Sequence, residues 1–156
     1  MALYTGLPLE WDSIALVKPN AEDVSAALAT ADIDESQKGW FEQAQSLEDL
    51  LYFSVSLGTK LVGQIFLHDM DLDQHQAMVG YHIFDADKRG RGYGTAALGA
   101  LCYYAFHELG LDRLVMITEF ENSASQRIAE KCGFLNIGPA REGPDLIAYE
   151  RLGTVR

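Results

Sequence analysis

Three glycines fall within five residues in the stretch Lys88-Arg89-Gly90-Arg91-Gly92-Tyr93-Gly94-Thr95-Ala96-Ala97-Leu98. They follow an apolar, strand-like run, Met78 to Phe84, and lead into a segment of helical spacing. Lacking a Cβ, glycines let a backbone turn sharply and come close to a ligand. The helix that follows aims its unpaired N–H groups, and the positive end of its dipole, back at the turn. Lys88, Arg89 and Arg91 add full positive charge there, in a chain of formal charge −11. Strand, basic glycine turn and helix start together make a phosphate cradle. The alternative is a plain strand-to-helix connection.

The rest of the chain places this turn. Ile14 to Val17 reads as a first strand, and Asn20 as the N-cap of a helix running to about Ala31. A second helix covers about Ser36 to Ser46 and carries Trp40 and Phe41, which are core residues by default or else line an acceptor pocket. Leu50 to Leu57 and Lys60 to His68 form a hairpin about Gly58-Thr59. The acidic run Asp69 to His75 is a solvated loop, since Gln74 and Gly80 stand where a calcium loop needs glycine and glutamate. Gln76 to Phe84 is the fourth strand, and its Gly80 marks a bulge or a close backbone approach. An apolar stripe from Leu98 to Leu109 ends at Gly110 as one helix. Leu114 to Thr118 is a short apolar strand of the kind covered on both faces. Asn122 opens a helix stopped by Gly133, and Phe134 to Ile137 and Leu146 to Arg151 are the last strands. The order predicts a single α+β domain, with α/β/α layers and a mixed, mostly antiparallel sheet of about six to seven strands.

Several function classes fall away. A dinucleotide-binding fold puts its glycine turn after the first strand, whereas here it follows the fourth. A Walker A loop needs a lysine where Gly94-Thr95-Ala96 has none. The acidic balance argues against nucleic acid as a partner, because phosphate backbones need a basic footprint. No run approaches the roughly 20 apolar residues of a membrane span. Met1-Ala2-Leu3-Tyr4 lacks the features of a secretory signal, so a cytoplasmic location is expected. Cys102 and Cys132 read as buried thiols without metal-ligand spacing, and no metal is expected. The charge is compatible with a cationic substrate.

Some thirty residues beyond the cradle lies Asn122-Ser123-Ala124-Ser125-Gln126-Arg127-Ile128-Ala129-Glu130-Lys131-Cys132-Gly133-Phe134. With Arg89-Gly90-Arg91-Gly92-Tyr93-Gly94, which matches a Gln/Arg-x-x-Gly-x-Gly/Ala pyrophosphate signature, this segment resembles the GNAT superfamily of acetyl-CoA-dependent N-acetyltransferases. Gly80-Tyr81-His82-Ile83 and the Asn-x-x-Ser pattern look most like its ribosomal-protein N-terminal acetyltransferase branch. The resemblance covers about residues 14 to 151 and implies the GNAT fold, splayed between the fourth and fifth strands. It implies acetyl-CoA as co-substrate and an amine as acceptor, either a small molecule or a peptide or protein N-terminus. Dimers are common among members.

By the same resemblance, backbone N–H groups from Arg89 through Gly90, Arg91, Gly92, Tyr93 and Gly94 to Thr95 hold the CoA pyrophosphate. Pantetheine pairs with backbone near Ile83, Phe84 and Asp85, and Asn122 contacts the cofactor arm while capping its helix. Deprotonating an alkylammonium of pKa about 10.4 at pH 7 costs roughly 4–5 kcal/mol. A base must therefore act: Glu119 first, His82 second, Glu142 third. A strand N–H near Ile83 is expected to stabilise the oxyanion. The tyrosine that many members use as acid is Ala129 here. Ser125 either donates to the leaving sulfur in its place or only bonds backbone. That loss keeps open a rival reading, a non-catalytic acyl-CoA sensor or interaction module.

Overall fold

Asn20 accepts from the N–H groups of Glu22 and Asp23 through its side chain and so starts α1 (Ala21–Ala29). Asp34 starts α2 (Glu35–Ala44) with a reciprocal capping box to Gln37. These residues belong to a computed structural model that describes residues 4–47, 49–85 and 88–153. Before α1 come β1 (Leu9–Trp11) and β2 (Ile14–Val17), and after α2 come β3 (Leu51–Leu57), β4 (Lys60–Asp71) and β5 (Gln76–Ile83). The second half is α3 (Tyr93–Tyr103), which widens into a π-helical turn over Tyr104–Glu108, then β6 (Arg113–Glu119), α4 (Ser123–Lys131), β7 (Leu135–Pro139) and β8 (Leu146–Leu152).

The eight strands form one sheet in the order β1-β2-β3-β4-β5-β6-β8-β7. It has one strand more than the expected six to seven. The addition is β1, whose three residues are too few to show an alternating pattern and which pairs with β2 through Leu9↔Leu16. The acidic run expected as loop is shorter than predicted, because β4 continues to Asp71, past a register shift after His68. Among the described strands every pairing is antiparallel except β5 with β6.

Helices cover both faces, as the element order predicts. On one face α3 and α4 pack over Phe53, Ile65, Leu67, Leu114 and Met116, with Leu98 and Leu101 of α3 fully buried. Each such leucine contributes about 1.5–3 kcal/mol through removal from water. On the other face α1 and α2 bury Val24, Leu28, Phe41 and Ala44 against Tyr52 and Phe84. This second cluster draws nothing from β6. The strand is therefore not sealed on both sides: Leu114, Met116 and Thr118 are buried, while Val115 and Ile117 are only half-buried and Glu119 is exposed.

The parallel pair is held at one end only. Arg113 donates to Glu150 of β8 at 2.6 Å and to Gln76 of β5 at 3.5 Å, clamping the start of both strands. Pairing runs from Gln76↔Arg113 to Val79↔Met116 and stops there. Beyond that point β5 follows β4, down to the bond from Phe84 N–H to Val62 C=O at 2.9 Å. In turn β6 follows β8 down to Glu119↔Leu146. Each strand keeps its outer partner, so the two part.

Candidate active site

Where β5 and β6 separate, a cleft of about 1000 Å³ opens, lined by Gly80 to Ile83 on one side and Met116 to Glu119 on the other. Its far wall is the start of α3, with Gly90, Gly92, Gly94 and Thr95, and one face of α4. Gly90 and Gly92 have φ of +75° and +87°, in the left-handed region that L side chains avoid. Gly92 is the N-cap of α3 and has no side chain to offer its first turn. A Cβ at either glycine would meet nothing within 4 Å, so their role is conformational. The opposite holds at Gly94, where a Cβ would lie 3.1 Å from Ile128 and 3.5 Å from Tyr81. That glycine lets α3, α4 and β5 converge. The first-turn amides of α3 thus face an open, positively biased recess.

The cationic side chains are distributed differently from the sequence expectation. Arg89 turns back to donate to the carbonyls of Ile83 (3.1 Å) and Phe84 (3.4 Å), which ties the cradle to the end of β5. Lys88, Arg127 and Lys131 also line the cleft. Sequence reasoning missed the last two, although Ala124, Arg127 (or Ile128) and Lys131 recur at helical spacing and so share a face of α4. Arg91 and Tyr93 of the cradle, and Asp85 from the expected pantetheine-pairing segment, are not among the residues that line the cleft.

Alternation along β5 decides which backbone groups face the gap. Phe84 N–H points at β4, so those of His82 and Gly80 do too, while those of Val79, Tyr81 and Ile83 point the other way. Val79 is consumed by β6, which leaves Tyr81 and Ile83 facing the cleft. Phe84 departs from its expected part in pairing, since its N–H is committed to Val62 and its side chain is 2% exposed beneath α2. Gly80 is not at a bulge either. It pairs in register with Phe66, and a Cβ there would sit 2.5 Å from that ring. The glycine is a slot for Phe66, against which the Trp40 ring lies tilted by 52° with centroids 5.4 Å apart. Trp40 is 42% exposed and Phe41 8%, so only the second is core.

Neighbouring side chains of β5 point to opposite faces. His82 lies on the α2 side, its ring 5.1 Å from that of Phe41. Its Nε2 is buried without a hydrogen-bond partner, and burial, aided by Arg89, lowers the pKa of its imidazole. Tyr81 lies on the α4 side, with its hydroxyl 3.2 Å from Ser125 Oγ. Ser125 N–H donates in turn to Asn122 Oδ1 at 3.1 Å, the expected N-cap. Ser125 therefore does more than bond backbone. Glu119 also lines the cleft and is exposed, whereas Glu142 does not line it. Among the described residues no cluster of ligands suits a metal.

Split sheet and glycine turn together form one open cleft between β5, β6 and the starts of α3 and α4. The chain belongs to the family described as the acetyltransferase (GNAT) domain, which matches residues 10–135. Among curated proteins it is 40% identical over 99 residues to one named "Putative ribosomal N-acetyltransferase YdaF" from Bacillus subtilis (strain 168), an alignment covering 59% of this chain and 54% of that one. The chain spans about half the length of the curated relatives it matches. Among solved structures, a ribosomal-protein-S5-alanine acetyltransferase from Vibrio fischeri superimposes with a TM-score of 0.75 at 16% identity, covering 93% of this chain and 96% of that one. The microcin C7 self-immunity acetyltransferase MccE, solved with acetyl-CoA and AMP, gives 0.72 at 22% identity, covering 90% and 93%. These likenesses establish the fold.

Proposed function

We propose that this chain is an N-acetyltransferase that moves the acetyl group of acetyl-CoA to a primary amine by direct attack. The observation that carries the reading is the placement of His82 and the Tyr81–Ser125 pair on opposite faces of a sheet that is open between them. A proton acceptor stands on one side of the gap and hydroxyl donors on the other. The residues fit acetyl-CoA: left-handed glycines and uncapped amides suit a pyrophosphate, Lys88, Arg127 and Lys131 add charge, and the Tyr81 and Ile83 backbone suits an amide-bearing arm.

On this reading acetyl-CoA supplies an activated acyl carbon in the gap. The Tyr81 and Ile83 N–H groups stabilise the charge that develops on its oxygen. His82 takes the proton of the attacking amine, and its lowered pKa keeps it neutral and able to accept at pH 7. Glu119 was the first expectation for that part, but its exposed carboxylate is better suited to hold the incoming ammonium beside the gap. Ser125 stabilises the departing thiolate. The acceptor reaches the gap from the α1/α2 face, where β6 is uncovered, and the net charge of −11 favours a cationic one.

A thiol-release assay with acetyl-CoA and a panel of polyamines, amino acids and short peptides tests this. Turnover on at least one amine that falls on His82→Gln is the expected result. Tight CoA binding with no turnover across the panel would instead make the chain a sensor or interaction module.

A further inference from the structure

Resting on that reading of Ser125, we infer that Tyr81 is a positioning residue, which aims the Ser125 hydroxyl at the leaving sulfur. A serine in the first turn of a helix ordinarily turns its hydroxyl back onto the backbone. Here Ser125 Oγ instead lies 3.2 Å from the Tyr81 hydroxyl, and both residues line the cleft. A phenol is the more acidic of the two groups, so it donates and the serine oxygen accepts. That leaves the single proton of Ser125 to point into the cleft. The ring of Tyr81 is held for this by its approach to the Cβ-free Gly94 and by the core under α3 and α4. The helix itself offers no phenol at position 129, which is a fully buried alanine. The strand across the cleft supplies one.

In the reaction the C–N bond forms and the C–S bond breaks. The acceptor ammonium gives one proton to solvent on entering the gap and a second to His82 as the C–N bond forms. The electron pair of the C–S bond goes to sulfur, His82 returns its proton to solvent, and the thiolate finally takes one proton from solvent. Ser125, held by Tyr81 and assisted by the positive end of α4, donates a hydrogen bond to that thiolate. The thiol of bound CoA should therefore ionise more readily than that of free CoA.

The test reads thiolate absorbance of CoA bound to the protein as pH is raised, alongside kcat and KM. Ser125→Ala should raise the apparent pKa of the bound thiol and lower kcat about 10–100-fold, while Ser125→Thr retains most activity. Tyr81→Phe should shift the thiol in the same direction and lower kcat about 5–20-fold, with KM for acetyl-CoA changed less than about threefold. The double variant should be no worse than Ser125→Ala, because the tyrosine acts through the serine. Replacing the position-81 tyrosine with 3-fluorotyrosine, which keeps the ring and strengthens the donor, should lower the bound thiol pKa further. A Tyr81→Phe protein with unchanged thiol titration and kcat, beside an impaired Ser125→Ala, overturns the inference and leaves the function standing. Unchanged behaviour in both variants overturns the role of Ser125 itself.

Discussion

Gly63 is the position from which the cleft is most easily damaged at a distance. It pairs with Ile83 across β4 and β5, and a Cβ there would lie 2.5 Å from the carbonyl oxygen of His82 and 3.2 Å from the Cα of Ile83. Ordinary contact begins near 3.4 Å, so the His82 carbonyl would have to recede by about 0.9 Å. Backbone cannot swing aside as a flexible side chain does. Overpacking of this kind costs about 1–3 kcal/mol, and stretching the adjacent Phe84-to-Val62 bond adds up to about 1 kcal/mol. A loss of about 2–3 kcal/mol corresponds to a melting temperature lower by about 4–12 °C. The displaced segment also carries His82 and the Ile83 N–H, and a misplacement near 1 Å costs about 100-fold in rate. Gly63→Ala should therefore lower the melting temperature in a calorimetric scan and reduce kcat in the thiol-release assay by about two orders of magnitude. A variant that melts within 1 °C of the parent, or a destabilised one with parental kcat, would refute the reasoning.

Four further outcomes follow from the same geometry. Because the pKa of His82 is lowered, the acid limb of kcat/KM should fall below the ordinary histidine value of about 6.5, and His82→Gln should abolish that limb while reducing kcat about 10²–10⁴-fold. The same group binds protons more weakly folded than unfolded, so it leaves stability untouched above about pH 6.5 and diminishes it as pH falls from there towards the folded pKa; in denaturant titrations between about pH 5 and 7 the parent should lose more stability towards the acid end than His82→Gln does. Gly92→Ala forces a side chain into φ +87° with no clash, at a cost of about 1–2 kcal/mol. It should raise KM for acetyl-CoA far more than it lowers kcat. Gly39, exposed within α2 with nothing near its missing Cβ, provides the counter-case: Gly39→Ala should stabilise by about 0.5–1 kcal/mol, visible as a higher melting temperature with kinetics unchanged.

The cradle was legible because its chemistry is local. Left-handed turns before a helix demand glycine, and the spacing of Gly90 and Gly92 records that demand directly. The same is true of the caps Asn20 and Asn122. What pattern reading could not supply was convergence between elements distant in sequence. Tyr81 and Ser125 are 44 residues apart, and nothing in either segment announces that their hydroxyls meet. Arg89 looked like phosphate charge, yet the nearest acceptors for its guanidinium are the carbonyls at the end of the preceding strand. Gly80 suggested a bulge, whereas its cause is the Phe66 ring on the neighbouring strand. The strand β1 was too short for periodicity to speak. Glu119 is exposed whereas His82 Nε2 is buried, a difference that one sequence does not record.

The parting of β5 from β6 has a further consequence when it is regarded as an edge. Sheets protect their unpaired margins, because exposed N–H and C=O groups invite another strand. Here two margins lie in the middle of the sheet, at Tyr81 to Ile83 and at Ile117 to Glu119, and on the proposed function the acyl carrier completes them. Amides of Val79 and Met116 should exchange slowly with deuterium in the absence of ligand, while those of Tyr81 and Ile83 should exchange quickly and slow on CoA binding. Each tenfold excess of carrier over its dissociation constant then adds about 1.4 kcal/mol to the folded state. On the proposed function, the concentration of the acyl carrier therefore bears on the stability of this protein as well as on its rate.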